Sequence, residues 1–164
     1  RAGVTMGIGT DTLPHNFIEE MRKTAVLARI AAGDINTLGL ADILNGATVS
    51  GAKALNRDDL GRLAPGTKAD IVLVDLSHPH MRPVRDPLRS LVFSAADRAV
   101  KDVFVDGYQV VADGKVLTLD PVEAHGRLQE AQTRMLADSP NRDFAGRDAA
   151  TIAPLSLPRL GANH

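Results

Sequence analysis

The chain has 164 residues, of which 44% are hydrophobic and 24% are charged, and this composition predicts a globular protein rather than a disordered or fibrous one. Its formal net charge of -1 leaves no excess of positive charge to attract nucleic acid or an anionic membrane surface. Cysteine is absent, which excludes disulfides, cysteine-bound metals and a thiol nucleophile. No apolar run is long enough to span a membrane and no signal peptide is visible, so we expect a cytoplasmic protein.

The N-terminal segment predicts a buried strand followed by a helix. Val4–Gly9 is short, apolar and partly β-branched, which is typical of a strand, and turn-forming residues around Asp11 follow it. From Phe17 to about Ala32 the apolar residues recur with helical spacing. Asn16 is a candidate N-cap for this helix, and Gly33 is expected to end it.

Two shorter helices are predicted next. Leu40–Leu44 forms the first, and Thr48–Leu55 forms the second, with Thr48 as its expected N-cap. Small residues in and before the second helix, including Gly51, indicate close packing against a larger element.

The following region is predicted to be rich in strands. A strand is expected at Ala69–Asp75, and a proline-rich excursion follows it. Three closely spaced strands are then predicted: Val100–Val105, Tyr108–Val111 and Lys115–Leu119. Asp106-Gly107 and Asp113-Gly114 have the composition of tight hairpin turns between these strands.

A last helix and a tail complete the prediction. Asp120-Pro121 is expected to open a helix that runs to about Ala137, because proline is favoured at the first helical position. From Ser139 onward the composition predicts an extended tail wrapped on a surface. The chain begins at Arg1, without an initiator Met, and enters an apolar stretch at once, so we expect a piece of a longer polypeptide.

Asp11 is the first candidate for chemistry. In parallel α/β folds the carboxyl ends of the strands form the functional edge, and the predicted strand and helix place Asp11 at such an end. A carboxylate there can bind a metal ion or transfer a proton. The alternative is that Asp11 only caps a helix or forms a turn, as aspartate commonly does after a strand.

Several segments resemble, in the same order, the amidohydrolase superfamily, and within it the branch that contains cytosine deaminase-like and chlorotriazine hydrolase-like enzymes. The resemblance covers roughly residues 3 to 137. It is carried by Val4 to Asp11 with Asn16 and Glu20-Met21-Arg22, by Asn45 to Thr48 with Gly51 to Leu55, by Gly61 to Val72, and by the segments Val103 to Gly107 and Val110 to Gly114.

This resemblance implies an α/β fold: the C-terminal end of a metal-dependent (β/α)8 barrel plus part of a small β-sandwich domain. It implies that residues 1–60 form the end of the barrel, with its last strand and the following helices. Residues 61–120 would form the sandwich portion, with a loop at 77–98 returning toward the barrel, and residues 121–164 the C-terminal helix and an extended tail.

The resemblance also implies a metal site at the barrel mouth. Family members bind one divalent metal, Zn or Fe, through histidines and through an aspartate that follows the eighth strand, and Asp11 matches that aspartate. Asp11 would therefore be both a metal ligand and a catalytic residue. The remaining ligands would precede Arg1, and a catalytic zinc site needs about three protein ligands. We therefore expect the chain to be inactive by itself.

His15 and Asn16 are weaker candidates for substrate binding. His15 lies four residues after Asp11 and would contact the substrate or remain a solvated loop residue. Asn16 matches an asparagine common in this branch, although helix capping explains it equally well. The other histidines are expected to lie outside the site: His78 and His80 in a proline-rich surface loop, His125 on an amphipathic helix and His164 at the terminus.

The predicted function is that of the C-terminal part of a metal-dependent amidohydrolase. The full-length enzyme would hydrolyse a C–N bond, or a C–Cl bond, of a nitrogen heterocycle or related small molecule, as an aminohydrolase or deaminase does. It is expected to be a homo-oligomer that binds neither nucleic acid nor membrane. One Tyr, four Phe and no Trp leave few aromatic rings on which bases could stack. The alternative is a non-catalytic sandwich and helix module used for assembly.

Overall fold

The computed structural model describes residues 3–11 and 15–157. By internal contacts the chain divides after Thr118 into two compact units, and each is described here by itself. The predictions for His164, for the end of the tail and for part of the loop after Asp11 lie outside the described residues. No helix in the described ranges is both long and apolar enough to cross a membrane.

Three helices open the first unit. Helix α1 spans Phe17–Ala32, helix α2 spans Leu40–Ala47 and helix α3 spans Val49–Ala54. The predicted ends of α1 are confirmed: the Asn16 side chain accepts a hydrogen bond from the Glu19 backbone, and Gly33 ends the helix with a φ of 64°.

A run of short helical turns connects these helices to the sheet. It comprises a 3-10 turn at Pro79–Met81, helix α4 at Pro87–Ser90, a π-helical turn at Leu91–Ala95 and a 3-10 turn at Ala96–Ala99. Val92 of this run is fully buried in a cluster with Met21, Ala25 and Ile43. Its neighbours Leu91 and Ala95 belong to a second cluster, with Met81, Ala99 and Val74. The Leu91–Ala95 turn thus contributes residues to both buried clusters.

The run is also tied to α1 by polar contacts. Arg22 Nε donates a hydrogen bond of 2.7 Å to the carbonyl oxygen of Val92. The Arg29 guanidinium lies 5.3 Å from the centre of the Phe93 ring, and that of Arg89 lies 5.9 Å from the same ring. The Arg22 and Arg29 contacts join residues 70 and 64 positions apart and hold α1 against the turns, whereas the Arg89 contact lies within the run itself.

The sheet is a four-stranded antiparallel meander in the order β1-β2-β3-β4. Its strands are β1 at Ile71–Val74, β2 at Val100–Val105, β3 at Tyr108–Ala112 and β4 at Lys115–Val116. Both predicted aspartate-glycine turns are present, with positive φ at each position: 50° and 83° at Asp106-Gly107, and 50° and 73° at Asp113-Gly114. That geometry suits the right-handed twist of a hairpin.

The second unit contains α5 at Pro121–Arg142 and the single turn α6 at Ala149–Ile152. Asp120 caps α5 by accepting hydrogen bonds from the backbone of Val122 and Glu123, which confirms the predicted start. The predicted end near Ala137 is wrong, because α5 continues to Arg142, and the tail therefore begins later than Ser139. The Ser139 hydroxyl donates to the carbonyl oxygen of Leu136 at 2.9 Å. It replaces the backbone donor that Pro140 lacks, so the helix continues.

Three further expectations are corrected. Val4–Gly9 forms no strand in the described residues, and Val4 and Met6 are 74% and 77% exposed, because the segment has no strand beside it to pair with. Thr48 does not cap α3 with its side chain; its hydroxyl donates to Leu44 of the preceding helix. The last strand ends at Val116 rather than Leu119.

Candidate functional site

Asp11 lies on the surface at the end of the N-terminal segment. Its side chain is exposed, and its backbone has a φ of 55°. Aspartate tolerates this left-handed conformation better than most residues, and Asp106 and Asp113 adopt it in ordinary turns, so the angle alone indicates no function. The Asp11 carboxylate accepts no hydrogen bond from the described residues.

The segment before Asp11 is seated on α2 and α3. The backbone N–H of Ile8 donates to the carbonyl oxygen of Gly46 at 3.1 Å. The Ile8 side chain packs against the buried cluster that contains Val92. Gly7 faces Gly51 so closely that a Cβ on Gly7 would lie 3.1 Å from the Gly51 Cα atom. The sequence prediction did not single out this contact, although the small residues around Gly51 had indicated close packing.

The two predicted substrate contacts lie near Asp11 along the chain. The Thr10 hydroxyl oxygen and His15 Nδ1 are 3.2 Å apart, within hydrogen-bond distance. This contact brings the exposed His15 ring to the residue next to Asp11, and the sequence prediction missed the part that Thr10 plays. Asn16 Oδ1 accepts the N–H of Glu19 at 3.2 Å, so Asn16 is a helix cap. A substrate contact for either residue stays a prediction.

The described residues do not form a metal centre by themselves. No group of three or more His, Asp or Glu side chains within residues 3–11 and 15–157 is arranged to hold a metal ion. A carboxylate such as that of Asp11 is a suitable oxygen ligand for zinc, and zinc sites take about three or four protein ligands. Asp11 fits the chemistry of one such ligand, and its role as a metal ligand stays a prediction.

His78 and His80 contact each other within the loop that follows β1. The two rings stack with their centres 5.4 Å apart. His78 Nδ1 accepts the backbone N–H of His80 at 3.2 Å, so a neutral His78 ring carries its proton on Nε2. The absence of a metal site at this pair stays a prediction.

A groove of about 670 Å³ lies beside the seated segment. Gly7, Ile8, Phe17, Leu55 and Leu63 are among the residues that line it, and its surface is mainly apolar. It contains no paired carboxylates or histidines, since Asp70 is its one acidic lining residue. The groove has the character of a packing surface rather than a polar reaction site.

Charged pairs near this groove hold the loops before β1 and between β2 and β3. Arg57 contacts Asp59 through two hydrogen bonds of 2.6 Å, which lower the pKa of Asp59. Lys68 donates to Asp106, which raises the pKa of Lys68, and Asp70 accepts the backbone N–H of Asp106 at 2.8 Å. These contacts fix the entry to the sheet against its first hairpin turn.

Comparison with known proteins decides the family. Residues 1–110 match the sequence profile described as the Amidohydrolase family. The chain belongs to this family. It is also 38% identical over 140 residues to the 5-methylthioadenosine/S-adenosylhomocysteine deaminase of Pelotomaculum thermopropionicum, covering 83% of this chain and 32% of that protein. It is 34% identical over 139 residues to the 5'-deoxyadenosine deaminase of Methanosarcina mazei, covering 82% of this chain and 32% of that protein.

Solved structures agree with this amidohydrolase assignment. An adenosine deaminase from Xanthomonas campestris with bound zinc superposes with a TM-score of 0.75 and 31% identity, over 80% of this chain and 31% of that one. Atrazine chlorohydrolase from Arthrobacter aurescens, complexed with zinc, superposes with a TM-score of 0.70 and 26% identity, over 78% of this chain and 30% of that one.

The predicted fold class is confirmed: an α/β chain that corresponds to the C-terminal end of a metal-dependent (β/α)8 barrel plus part of a small β-sandwich domain. The chain spans about a third of the length of the relatives it matches.

Proposed function

We propose that this chain is the C-terminal part of a zinc-dependent amidohydrolase that deaminates an adenosine-type nucleoside. The observation that supports the substrate class is the 38% and 34% identity to deaminases of methylthioadenosine, S-adenosylhomocysteine and deoxyadenosine. The observation that supports zinc is its presence in two similar solved structures. The division into barrel residues 1–60, sandwich residues 61–120 and a C-terminal segment 121–164 belongs to the same proposal.

Asp11 is the residue of this chain that we assign to the reaction. Zinc, when bound, acts as a Lewis acid that lowers the pKa of a water molecule to about 7. In hydrolytic deamination the water oxygen bonds to the ring carbon, the bond from that carbon to the amino nitrogen breaks, and ammonia leaves. The water must lose a proton and the departing nitrogen must gain one. The Asp11 carboxylate can accept the first proton and return it to the nitrogen.

The surroundings of Asp11 suit these roles. Its oxygens are not engaged by other described residues, and its segment is held by the Ile8 hydrogen bond to Gly46. His15, placed by its contact with Thr10, is proposed to border the substrate. The amide nitrogen of Asn16 is proposed to contact the substrate, since only its oxygen is used in capping α1.

The test is product release by the full-length protein after zinc loading. Methylthioadenosine, S-adenosylhomocysteine, 5'-deoxyadenosine and adenosine are assayed for ammonia release, and atrazine is assayed for chloride release. Ammonia from at least one of the nucleosides supports the proposal. Chloride from atrazine without ammonia from any nucleoside overturns the substrate class and leaves the hydrolase assignment. No turnover of any of these by zinc-replete protein favours a non-catalytic assembly module.

The proposal extends to partners. The substrate is a small molecule, and the full-length enzyme is proposed to form a homo-oligomer. Light scattering of the full-length protein tests the second point: a monomeric mass would overturn it.

A further inference from the structure

The contact between Gly7 and Gly51 is the tightest feature of the segment that carries Asp11. A Cβ on Gly7 would lie 3.1 Å from Gly51 Cα, 3.6 Å from Gly51 N and 3.6 Å from the Gly46 carbonyl oxygen. All three atoms belong to backbone, so no side chain can rotate out of the way. The φ of Gly7 is not in the left-handed region, so glycine is required for space rather than for conformation.

The contact sets the position of the chain just before Asp11. Ile8, the next residue, is fixed by its hydrogen bond of 3.1 Å to Gly46 and by its packing on the buried cluster under α1. Gly9 has nothing within 4 Å of a Cβ in the described residues, so the constraint ends there. Gly7 and Ile8 therefore hold the segment on α3 and α2, and Ile8 lies three positions before Asp11.

We infer that Gly7 is a positioning residue for Asp11. This inference rests on the proposed function, since it assumes that the place of the Asp11 carboxylate matters for zinc. Because Gly7 has no Cβ, the segment lies directly against the backbone of α3. The distance between the segment and α3 in turn sets the position of Asp11. A methyl group at position 7 requires the segment and α3 to move apart by a few tenths of an ångström, because a contact of 3.1 Å is shorter than nine in ten real Cβ contacts. Metal and catalytic groups must be held within about 0.5 Å of the productive geometry.

The test compares alanine on the two sides of this contact in the full-length, zinc-loaded protein. Gly7→Ala places its methyl group against backbone. Gly51→Ala places it 3.6 Å from the Gly46 carbonyl oxygen, which is an ordinary contact, and is the matched control. We expect Gly7→Ala to lose zinc to a chelator about tenfold faster, with kcat lowered about tenfold and KM changed less. Gly51→Ala should stay within about twofold of the unaltered protein on both measures.

A structural role alone would give a different pattern. Gly61→Ala provides the comparison, since it disturbs α3 through Thr48 rather than through the Asp11 segment. If Gly7→Ala releases zinc no faster than Gly61→Ala does at an equal drop in Tm, the inference is overturned. If Gly7→Ala does not fold, Ile8→Val replaces it. That variant shortens the side chain that lies against Gly46 and is among the mildest of core substitutions.

Faster zinc release by Ile8→Val supports the inference, and zinc retention like that of the unaltered protein overturns it. The proposed function and this inference fail separately. If the unaltered full-length protein releases no ammonia from any of the nucleosides, the proposed function is wrong. If Asp11→Asn keeps its zinc and its activity, the assignment of Asp11 to the reaction is wrong. If Asp11→Asn is impaired while Gly7→Ala is normal, only the positioning role of Gly7 is wrong.

Discussion

Gly61 lies against the carbonyl group of Thr48, so closely that a Cβ on Gly61 would be 2.7 Å from the Thr48 oxygen. Gly61 also has a φ of 78°, which side chains rarely adopt. The loop that leads to the sheet is thereby packed onto the start of α3. This contact is one of those that hold the helical part of the first unit against its β-rich part.

Gly61→Ala is expected to destabilise the chain by about 2–4 kcal/mol, from backbone strain plus the clash with Thr48. Gly66→Ala is the control, because Gly66 has a similar φ of 84° but nothing within 4 Å of its Cβ position. It should cost only about 1 kcal/mol. Urea denaturation measures both variants, and equal losses would show that the contact with Thr48 is unimportant.

Asp143 is expected to titrate at unusually low pH. Arg147 donates to its two oxygens at 2.7 and 3.0 Å, and these side-chain hydrogen bonds, with backbone N–H groups, lower the Asp143 pKa from 3.8 to about 2. Because the folded pKa is below the unfolded one, the turn after α5 is stabilised above pH 3.8 and loses that contribution as the pH falls toward 2.

NMR titration of the Asp143 carboxyl carbon checks this. Arg147→Gln should move the midpoint back up toward 3.8, the ordinary value for aspartate. Arg134→Gln, which removes an exposed arginine whose pair with Glu130 is 3.9 Å long, should not move it. A midpoint that ignores Arg147→Gln would refute the assignment of the cause.

The double variant His78→Ala with His80→Ala should leave zinc content and turnover of the full-length protein nearly unchanged. Nδ1 of His78 accepts a hydrogen bond from the His80 backbone, so this ring is not expected to bind the metal. Metal analysis of purified protein, together with ammonia release, provides the readout. Loss of stoichiometric zinc would move the metal site to this loop.

The 164-residue chain expressed by itself is expected to expose apolar surface and to self-associate. Val4 and Met6 are largely exposed, and the backbone around them has no strand partner in the described residues. Binding of a hydrophobic fluorescent dye, with light scattering, measures this, and Val4→Ser with Met6→Ser should reduce the dye signal. A monodisperse monomer that binds no dye would contradict the expectation.

The elements that the sequence predicted well have local causes. Helix α1 begins and ends as predicted because Asn16 caps it and Gly33 stops it within a few bonds of each end. The hairpins follow from the two aspartate-glycine pairs. This dipeptide favours the positive φ values that a tight hairpin turn needs, so the turns can be predicted from the local sequence alone.

The elements that it missed depend on distant or compensating contacts. The π-helical turn at Leu91–Ala95 lies where Val92 enters a core formed with α1 and α2, and nothing in its own sequence specifies that. Helix α5 passes Pro140 because one serine hydroxyl replaces a missing donor. The close contact between Gly7 and Gly51 joins residues 44 positions apart, so only the fold brings them together.

Asp11→Asn in the full-length, zinc-loaded protein tests the central claim most directly, because the substitution keeps the volume of the side chain but removes its charge and its ability to accept a proton. If Asp11 were only a turn residue, asparagine would serve equally well. Asp113→Asn is the matched control, since Asp113 has a φ of 50° against 55° for Asp11 and lies in a hairpin turn.

Steady-state turnover of the two variants beside the unaltered enzyme is the deciding measurement. We predict that Asp11→Asn loses at least about 100-fold in kcat, the scale of a lost acid-base group, while Asp113→Asn stays within a few-fold. Activity of Asp11→Asn within a few-fold of the unaltered enzyme would contradict the claim that this carboxylate takes part in the reaction.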